Sequence, residues 1–245
     1  MVLKGGANYY GATIGVLGLE TYFPKPPGHI KNLEGLGFPI IYETISGATI
    51  SELIESPSIE YIQPFIAAAK RLEKEGVSAI TGSCGFLALF QKELANAVDI
   101  PVFASSLIQL PLAYNMLGDD KVVGVLTANA SRLTDAHFKS VGADNIPVVV
   151  QGLENTTEFR EVILEAKRED MDIALIEKEV MQAVDELKRQ APNMGALVLE
   201  CTDLPPYSAK IQSQLNIPVF DLTTLTTMMH DVVLRTSYSG SMKVV

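Results

Sequence analysis

Cys84 and Cys201 are the two thiols of this 245-residue chain, and each stands between an apolar run and a helix-like segment. The first lies in Thr81-Gly-Ser-Cys-Gly-Phe and the second in Leu199-Glu-Cys-Thr-Asp-Leu. Two thiols that face each other suit one chemistry above others. Inverting a stereocentre removes a proton from one face of a carbon and delivers one to the opposite face, and a single fixed group cannot do both. A thiol fits the task, because an ordinary pKa of ~8.5 leaves a few per cent thiolate at neutral pH, and modest tuning raises that share. A lone cysteine carries no such message, since free Cys is among the most buried residue types. The pairing carries it.

The pairing rests on a repeat. After each cysteine an amphipathic stretch leads into Ile100-Pro-Val-Phe or Ile217-Pro-Val-Phe, and the cysteine-to-proline separation is 17 residues in both cases. Upstream, Ile14-Gly-Val-Leu matches Val123-Gly-Val-Leu, and Pro39-Ile-Ile-Tyr matches Pro147-Val-Val-Val. Any two βαβ units share Val- and Ile-rich strands, but four matches in one order point to an internal duplication.

The elements that must position the thiols alternate between strand and helix. Strand-like runs cover 12–19, 39–44, 77–82, 101–104, 121–127, 146–151, 196–199 and 218–222. Helical spacing appears after Ser56-Pro57, which reads as a cap followed by a first-turn proline, and continues through Ile62, Phe65, Ile66, Ala69 and Leu72. It recurs over 87–98, through Ile173, Ile176, Val180, Val184 and Leu187, near 207–215, and at the C-terminal end. This alternation predicts an α/β fold of two similar lobes, each a parallel sheet flanked by helices, with the active site in the cleft between them. Residues 1–110 form the first lobe, completed by 221–245, and 111–220 form the second. Each cysteine then follows a strand at its carboxyl end, where open parallel sheets bind ligands. Backbone N–H groups at Cys84–Phe86 and Cys201–Asp203 are expected to hold a carboxylate and to favour thiolate, Cys84 more than Cys201.

Composition narrows the classes. A net charge of −10 argues against nucleic acid or an anionic membrane as partner. No apolar run reaches the ~20 residues of a membrane span, and no signal core is visible, so the cytosol is the expected compartment. Three scattered histidines give no metal-ligand spacing. Gly5-Gly6 and Gly35-Leu-Gly37 do not make a phosphate loop or a dinucleotide fingerprint. Beyond the thiols, Glu20 and Thr21 follow the first strand and are candidates to orient a thiol or bind an amino group, and Lys25 is a candidate partner for a carboxylate.

The two cysteine motifs, together with Gly15-Val-Leu-Gly-Leu-Glu-Thr-Tyr-Phe-Pro-Lys-Pro-Pro-Gly-His, resemble the aspartate/glutamate racemase superfamily over nearly the whole chain. That superfamily also holds hydantoin racemases, maleate isomerases and arylmalonate decarboxylases. The resemblance implies Cys84 and Cys201 as opposed bases and no metal or pyridoxal cofactor. It puts substrate-carboxylate contacts at Ser83, Gly85, Phe86 and Thr202, with further ones from Thr127 and Asn129. Asp203 stands where relatives carry His, Glu or Asn, and is assigned to substrate binding with its role open. His29 stands where an acidic residue is more usual, a departure that bears on substrate choice.

The expectation is therefore a cofactor-independent, two-base racemase or epimerase, forming a homodimer and acting on a small carboxylate such as aspartate or glutamate. A maleate-type cis–trans isomerase or a hydantoin racemase would use the same thiols. A non-catalytic binding module is the alternative from another class.

Overall fold

The computed structural model describes residues 2–3, 5–32, 34 and 36–242; Gly35 of the second glycine motif and residues 243–245 of the C-terminal segment lie outside the described residues. Among the described residues eight strands form two four-stranded sheets. The first contains β1 (Ile14–Leu19), β2 (Ile40–Ile45), β3 (Ala79–Gly82) and β4 (Val102–Phe103) in the order β2-β1-β3-β4. The second contains β5 (Val122–Thr127), β6 (Val148–Gly152), β7 (Met194–Leu199) and β8 (Val219–Phe220) in the order β6-β5-β7-β8. All pairings are parallel and the two orders are the same. The fold is the two-lobed α/β arrangement expected of the duplication.

Helices α1 (Ile50–Glu55), α2 (Ile59–Glu75), α3 (Gln91–Ala95), α4 (Leu110–Asn115), α5 (Asp135–Ser140), α6 (Ile173–Gln190), α7 (Ser208–Leu215) and α8 (Leu222–Val233) flank the sheets. The long helices α2 and α6 occupy matching places, and the repeated glycine explains how closely they approach. A Cβ on Gly15 would stand 3.0 Å from a methyl of Leu72 in α2, and one on Gly124 would meet Leu187 of α6 at 3.2 Å and the Met194 sulfur at 2.1 Å. The sequence pattern shared by Ile14-Gly-Val-Leu and Val123-Gly-Val-Leu thus records a packing requirement.

The helical start expected at Ser56-Pro57 is displaced. Ser56 closes the short helix α1, and Ser58 caps α2 by accepting the Tyr61 N–H at 3.1 Å. The continuous helix expected over 87–98 is a 3-10 helix, Gly85–Phe90, followed by α3. Leu222, expected at a strand end, begins α8 behind an Asp221 cap.

The helix that follows the last strand of each sheet packs on the other sheet. The α4 helix packs against β5 and β7, and α8 packs against β3. Leu222 and Leu225 of α8 join Ile14, Val16, Ala79 and Phe103 in a core on the first sheet. Gln109 and Thr223 tie this exchange with hydrogen bonds to the Asp221 and Gly28 carbonyls. Burial of these apolar faces fixes the relative placement of the two sheet edges that carry the thiols. Among the described residues no helix is long and apolar enough to cross a membrane.

Candidate active site

Cys84 follows the end of β3 and Cys201 the end of β7, each after one intervening residue. Both line one small cavity with Ser83, Gly85, Phe86, Glu200, Thr202 and Asp203 below, and Ile50, Ile54, Ala128, Ile163 and Leu164 around it. Its volume is ≈ 10 Å³ for the centre of a water-sized sphere, room for about one water. The site is closed. Ile50 and Ile54 belong to α1, and Ile163 and Leu164 to a π-helical turn, Arg160–Leu164, that packs on α1. Single π turns occur frequently at functional sites. Ile50, Ile163 and Leu164 also form the wall of a neighbouring chamber of ≈ 240 Å³, lined further by Glu20, Thr21 and Phe23.

The seam between the lobes is made at the cysteine motifs. The Thr202 hydroxyl donates to the Ser83 carbonyl at 2.7 Å, and the Ser106 hydroxyl donates to the Leu199 carbonyl. The Ser83 hydroxyl accepts the Leu19 N–H at 2.9 Å, tying β1 to the end of β3. Thr202, expected to contact substrate, spends its hydroxyl on the seam, and the Ser83 hydroxyl, expected likewise, is held by Leu19 inside the first lobe.

Two of the N–H groups expected to cradle a carboxylate are directed at the thiols themselves. The Phe86 N–H is directed at the Cys84 sulfur and the Asp203 N–H at the Cys201 sulfur, one residue type for the other in a repeated turn. The expected thiolate stabilisation is overturned as well. Burial pushes both thiols above their ordinary value, helped by the negative charges of Glu200 and Asp203. The following 3-10 helices, Gly85–Phe90 and Pro205–Tyr207, are too short to gather much dipole against that.

The surroundings of the two thiols differ. Around Cys84 stand Phe86, set edge-on to His137 at 5.3 Å, and the isoleucines of α1. Around Cys201 stand charges. The Cys201 thiol donates to Asp203 Oδ2 at 3.5 Å, and His29 Nε2 lies 2.9 Å from Asp203 Oδ1. His29 Nδ1 accepts the Lys31 N–H, so the ring proton sits on Nε2 and is donated to Asp203. Burial alone would raise the Asp203 carboxyl; the His29 hydrogen bond and the Lys25 charge hold it below its ordinary value. Burial in turn pushes Lys25 down to about 8, with Asp203 opposing.

Glu200 was not singled out by the sequence. It is fully buried, receives the Thr127 hydroxyl at 2.7 Å on Oε2, and keeps Oε1 without a partner. Burial raises its carboxyl to about 7, against the hydrogen bonds from Thr127 and the Ala128 N–H. A Cβ on Gly85 would stand 2.2 Å from Oε1 and 2.1 Å from the Glu200 carbonyl, so glycine is required there for the carboxyl to fit. The available signal was a charged residue closing an apolar strand directly before the second cysteine.

The remaining candidates fall outside the thiol cavity. Glu20 accepts the Gly47 N–H at 2.8 Å and the Tyr22 hydroxyl, and Thr21 accepts from Lys31 Nζ at 3.0 Å. Lys25 Nζ lies over the Phe23 ring at 3.2 Å and donates to the Phe23 carbonyl. Thr127 reaches the site only through Glu200, and Asn129 caps the turn Ala130–Arg132 through its Oδ1.

With this geometry in place, comparison with known proteins gives both a family and a correction. The profile described as Asp/Glu/hydantoin racemase matches residues 44–229. A dimethylsulfoniopropionate lyase of Durusdinium sp. clade D is 30% identical over 222 residues, covering 87% of this chain and 72% of that protein. Dimethylsulfoniopropionate lyase 3 of Emiliania huxleyi (strain CCMP1516) is 31% identical over 222 residues; the match covers 86% of this chain, which spans 57% of that protein's length. In structure, a glutamate racemase from Bacillus anthracis superposes with a TM-score of 0.58 at 18% identity, over 91% of this chain and 82% of the other. The fold is that of the racemases, but the similar curated proteins in sequence are lyases, which overturns the expected aspartate or glutamate racemase.

Proposed function

This chain belongs to the Asp/Glu/hydantoin racemase family, and from that premise we propose that it is a lyase. It eliminates a leaving group from the carbon β to a carboxylate, with dimethylsulfoniopropionate as the first candidate substrate. The similarity to dimethylsulfoniopropionate lyases over most of the chain carries this reading.

The chemistry follows from the racemase frame with one change. A thiolate removes the proton from the carbon next to the carboxylate, as in racemisation. When the next carbon bears a sulfonium, the electron pair forms a C=C bond and the C–S bond breaks, its electrons leaving with sulfur. The products are acrylate, neutral dimethyl sulfide and one proton. The carbanion has an outlet, so no mirror-image base is needed on the opposite face.

The charges of the site support a substrate that brings a sulfonium beside the thiols. Burial, helped by the negative charges of Glu200 and Asp203, holds both thiols in the protonated form while the cavity is closed. A sulfonium within a few ångströms favours thiolate and carboxylate alike, so the substrate supplies the charge that ionises its own base. Entry requires the wall of Ile50, Ile163 and Leu164 to part, which joins the thiol cavity to the neighbouring chamber.

The test is direct. Purified protein incubated with millimolar dimethylsulfoniopropionate should release dimethyl sulfide, read by headspace gas chromatography, and acrylate in equal amount, read by proton NMR. No release of either above the uncatalysed rate would overturn the proposal.

A further inference from the structure

Glu200 differs from every other acid of this protein. Its side chain is wholly buried, lines the cavity with both thiols, and presents Oε1 with no hydrogen-bond partner. A buried acceptor without a donor is costly, of order 1–3 kcal/mol, and calls for an explanation. Its position supplies one. Oε1 is pressed against Gly85, the residue after Cys84. The Cys201 thiol already donates to Asp203, while Cys84 has no acid of its own in the first lobe. At the matching place, before Cys84, stands Ser83, whose hydroxyl is committed to Leu19.

We propose that Glu200 is the proton acceptor of Cys84: its free Oε1 takes the thiol proton, directly or through one water, leaving Cys84 as the thiolate base. The S–H bond breaks and an O–H bond forms, so the pair keeps a single negative charge. The ≈ 10 Å³ of space beside the thiols holds the one water that such a relay needs. After Cys84 has taken the substrate's α-proton, the proton on Glu200 leaves to solvent, matching the one proton that elimination releases. The near-neutral value of about 7 set by burial suits a group that loads and unloads at ordinary pH. The titratable groups facing Glu200 are Cys84 from the first lobe and Cys201 and Asp203 from its own segment, with His29 and Lys25 answering Asp203. The pair titrates as a coupled unit. The purpose of this relay rests on the elimination reading, but its test does not.

Labelling of Cys84 by methyl methanethiosulfonate, followed by peptide mass spectrometry, separates a proton acceptor from a repelling charge. The negative charge on Glu200 raises Cys84. If charge were its whole role, Glu200→Gln would make Cys84 label faster. As the base that takes the thiol proton while sulfur attacks the reagent, its loss makes Cys84 label slower at pH 7.5, by about 100-fold, the lower end of what a positioned base contributes. Cys201 labelling is the internal control and stays within a few-fold of the parent. Glu200→Asp keeps the acid but withdraws it by one methylene, and slower labelling there supports the relay as well. Equal or faster labelling of Cys84 in Glu200→Gln, or in Glu200→Asp should the amide variant not fold, overturns it. Dimethyl sulfide release by the parent is scored separately. A parent that labels as expected but releases none keeps the relay and loses the lyase.

Discussion

The two thiols occupy matching points of a duplicated frame, yet they live in different chemistry. Before Cys84 comes a serine and after it Gly85 and Phe86; around Cys201 come Glu200, Thr202 and Asp203. The second copy therefore supplies both acids of the site, and it also reaches across to hold the seam through Thr202. The first copy supplies the room: the missing side chain at Gly85 is what lets the Glu200 carboxyl sit between the lobes. Duplication built a symmetric scaffold, and divergence at three positions made the two thiol sites unequal. A site that moves a proton one way has use for that inequality.

The largest test of this contrast is substitution of the thiols one at a time. Cys84→Ser should lower kcat for elimination by about 10⁴, the upper range for loss of a positioned base. Cys201→Ser should cost about 10², because its S–H serves Asp203 rather than the α-proton. Both are read as initial rates of dimethyl sulfide release. Equal losses from the two variants would restore the symmetric pair and break the comparison.

Next comes the pH dependence of stability, where the two acids pull in opposite directions. Glu200 is raised to about 7 when folded, against an ordinary 4.5. Between those values the unfolded chain has lost its proton and the folded one retains it, so stability falls as pH rises from about 4.5 to about 7, then levels. The shift corresponds to about 3 kcal/mol across the window. Asp203 is lowered, so its contribution is present above an ordinary value of 3.8 and is lost only as pH falls below it. Urea denaturation at a series of pH values should show the descending slope, and Glu200→Gln should flatten it. A slope unchanged in that variant assigns the titration to another group.

How much of this was legible in the sequence follows from what each signal depends on. Strands β1, β5 and β7 and the helices α2 and α6 were readable because apolar periodicity is local and buried faces are broad. The repeat located the thiols because it records packing, as the paired glycines Gly15 and Gly124 illustrate. Glu200 was passed over because a strand end reads as a boundary, and only the fold reveals that it turns inward. The raised thiols were misjudged because a helix start is visible in sequence while its length and burial are not. The closing wall of α1 and the π turn has no periodic pattern long enough to announce it.

A smaller effect is expected from the hydrogen bond that holds Asp203. His29→Ala leaves a buried carboxylate without its imidazole donor and should cost about 2 kcal/mol, in the range for hydrogen bonds to charged groups. Thermal unfolding measures it. His137→Ala beside Phe86 on the Cys84 side removes no charge partner, and activity should change less there than in His29→Ala. The reverse ranking would place the working charges on the wrong thiol.

The smallest expected effect is at the seam itself. Thr202 is buried, and its hydroxyl crosses from the second lobe to the Ser83 carbonyl at 2.7 Å. Thr202→Val keeps the shape and removes the donor, so the cost is one hydrogen bond and a carbonyl left dry, about 1 kcal/mol. For a chain of this size that lowers Tm by roughly 2–4 °C. The matching position in the first copy is Gly85, which has no side chain to return the bond, so no second contact of this kind compensates. Ser106 still ties Leu199 to the first lobe, and it keeps the cysteine-bearing edges in register when Thr202 is gone. Elimination should therefore fall only a few-fold. A loss of activity as large as that of Cys201→Ser, with Tm nearly unchanged, would mean that the Thr202 hydroxyl contacts substrate and that its bond to Ser83 opens during turnover.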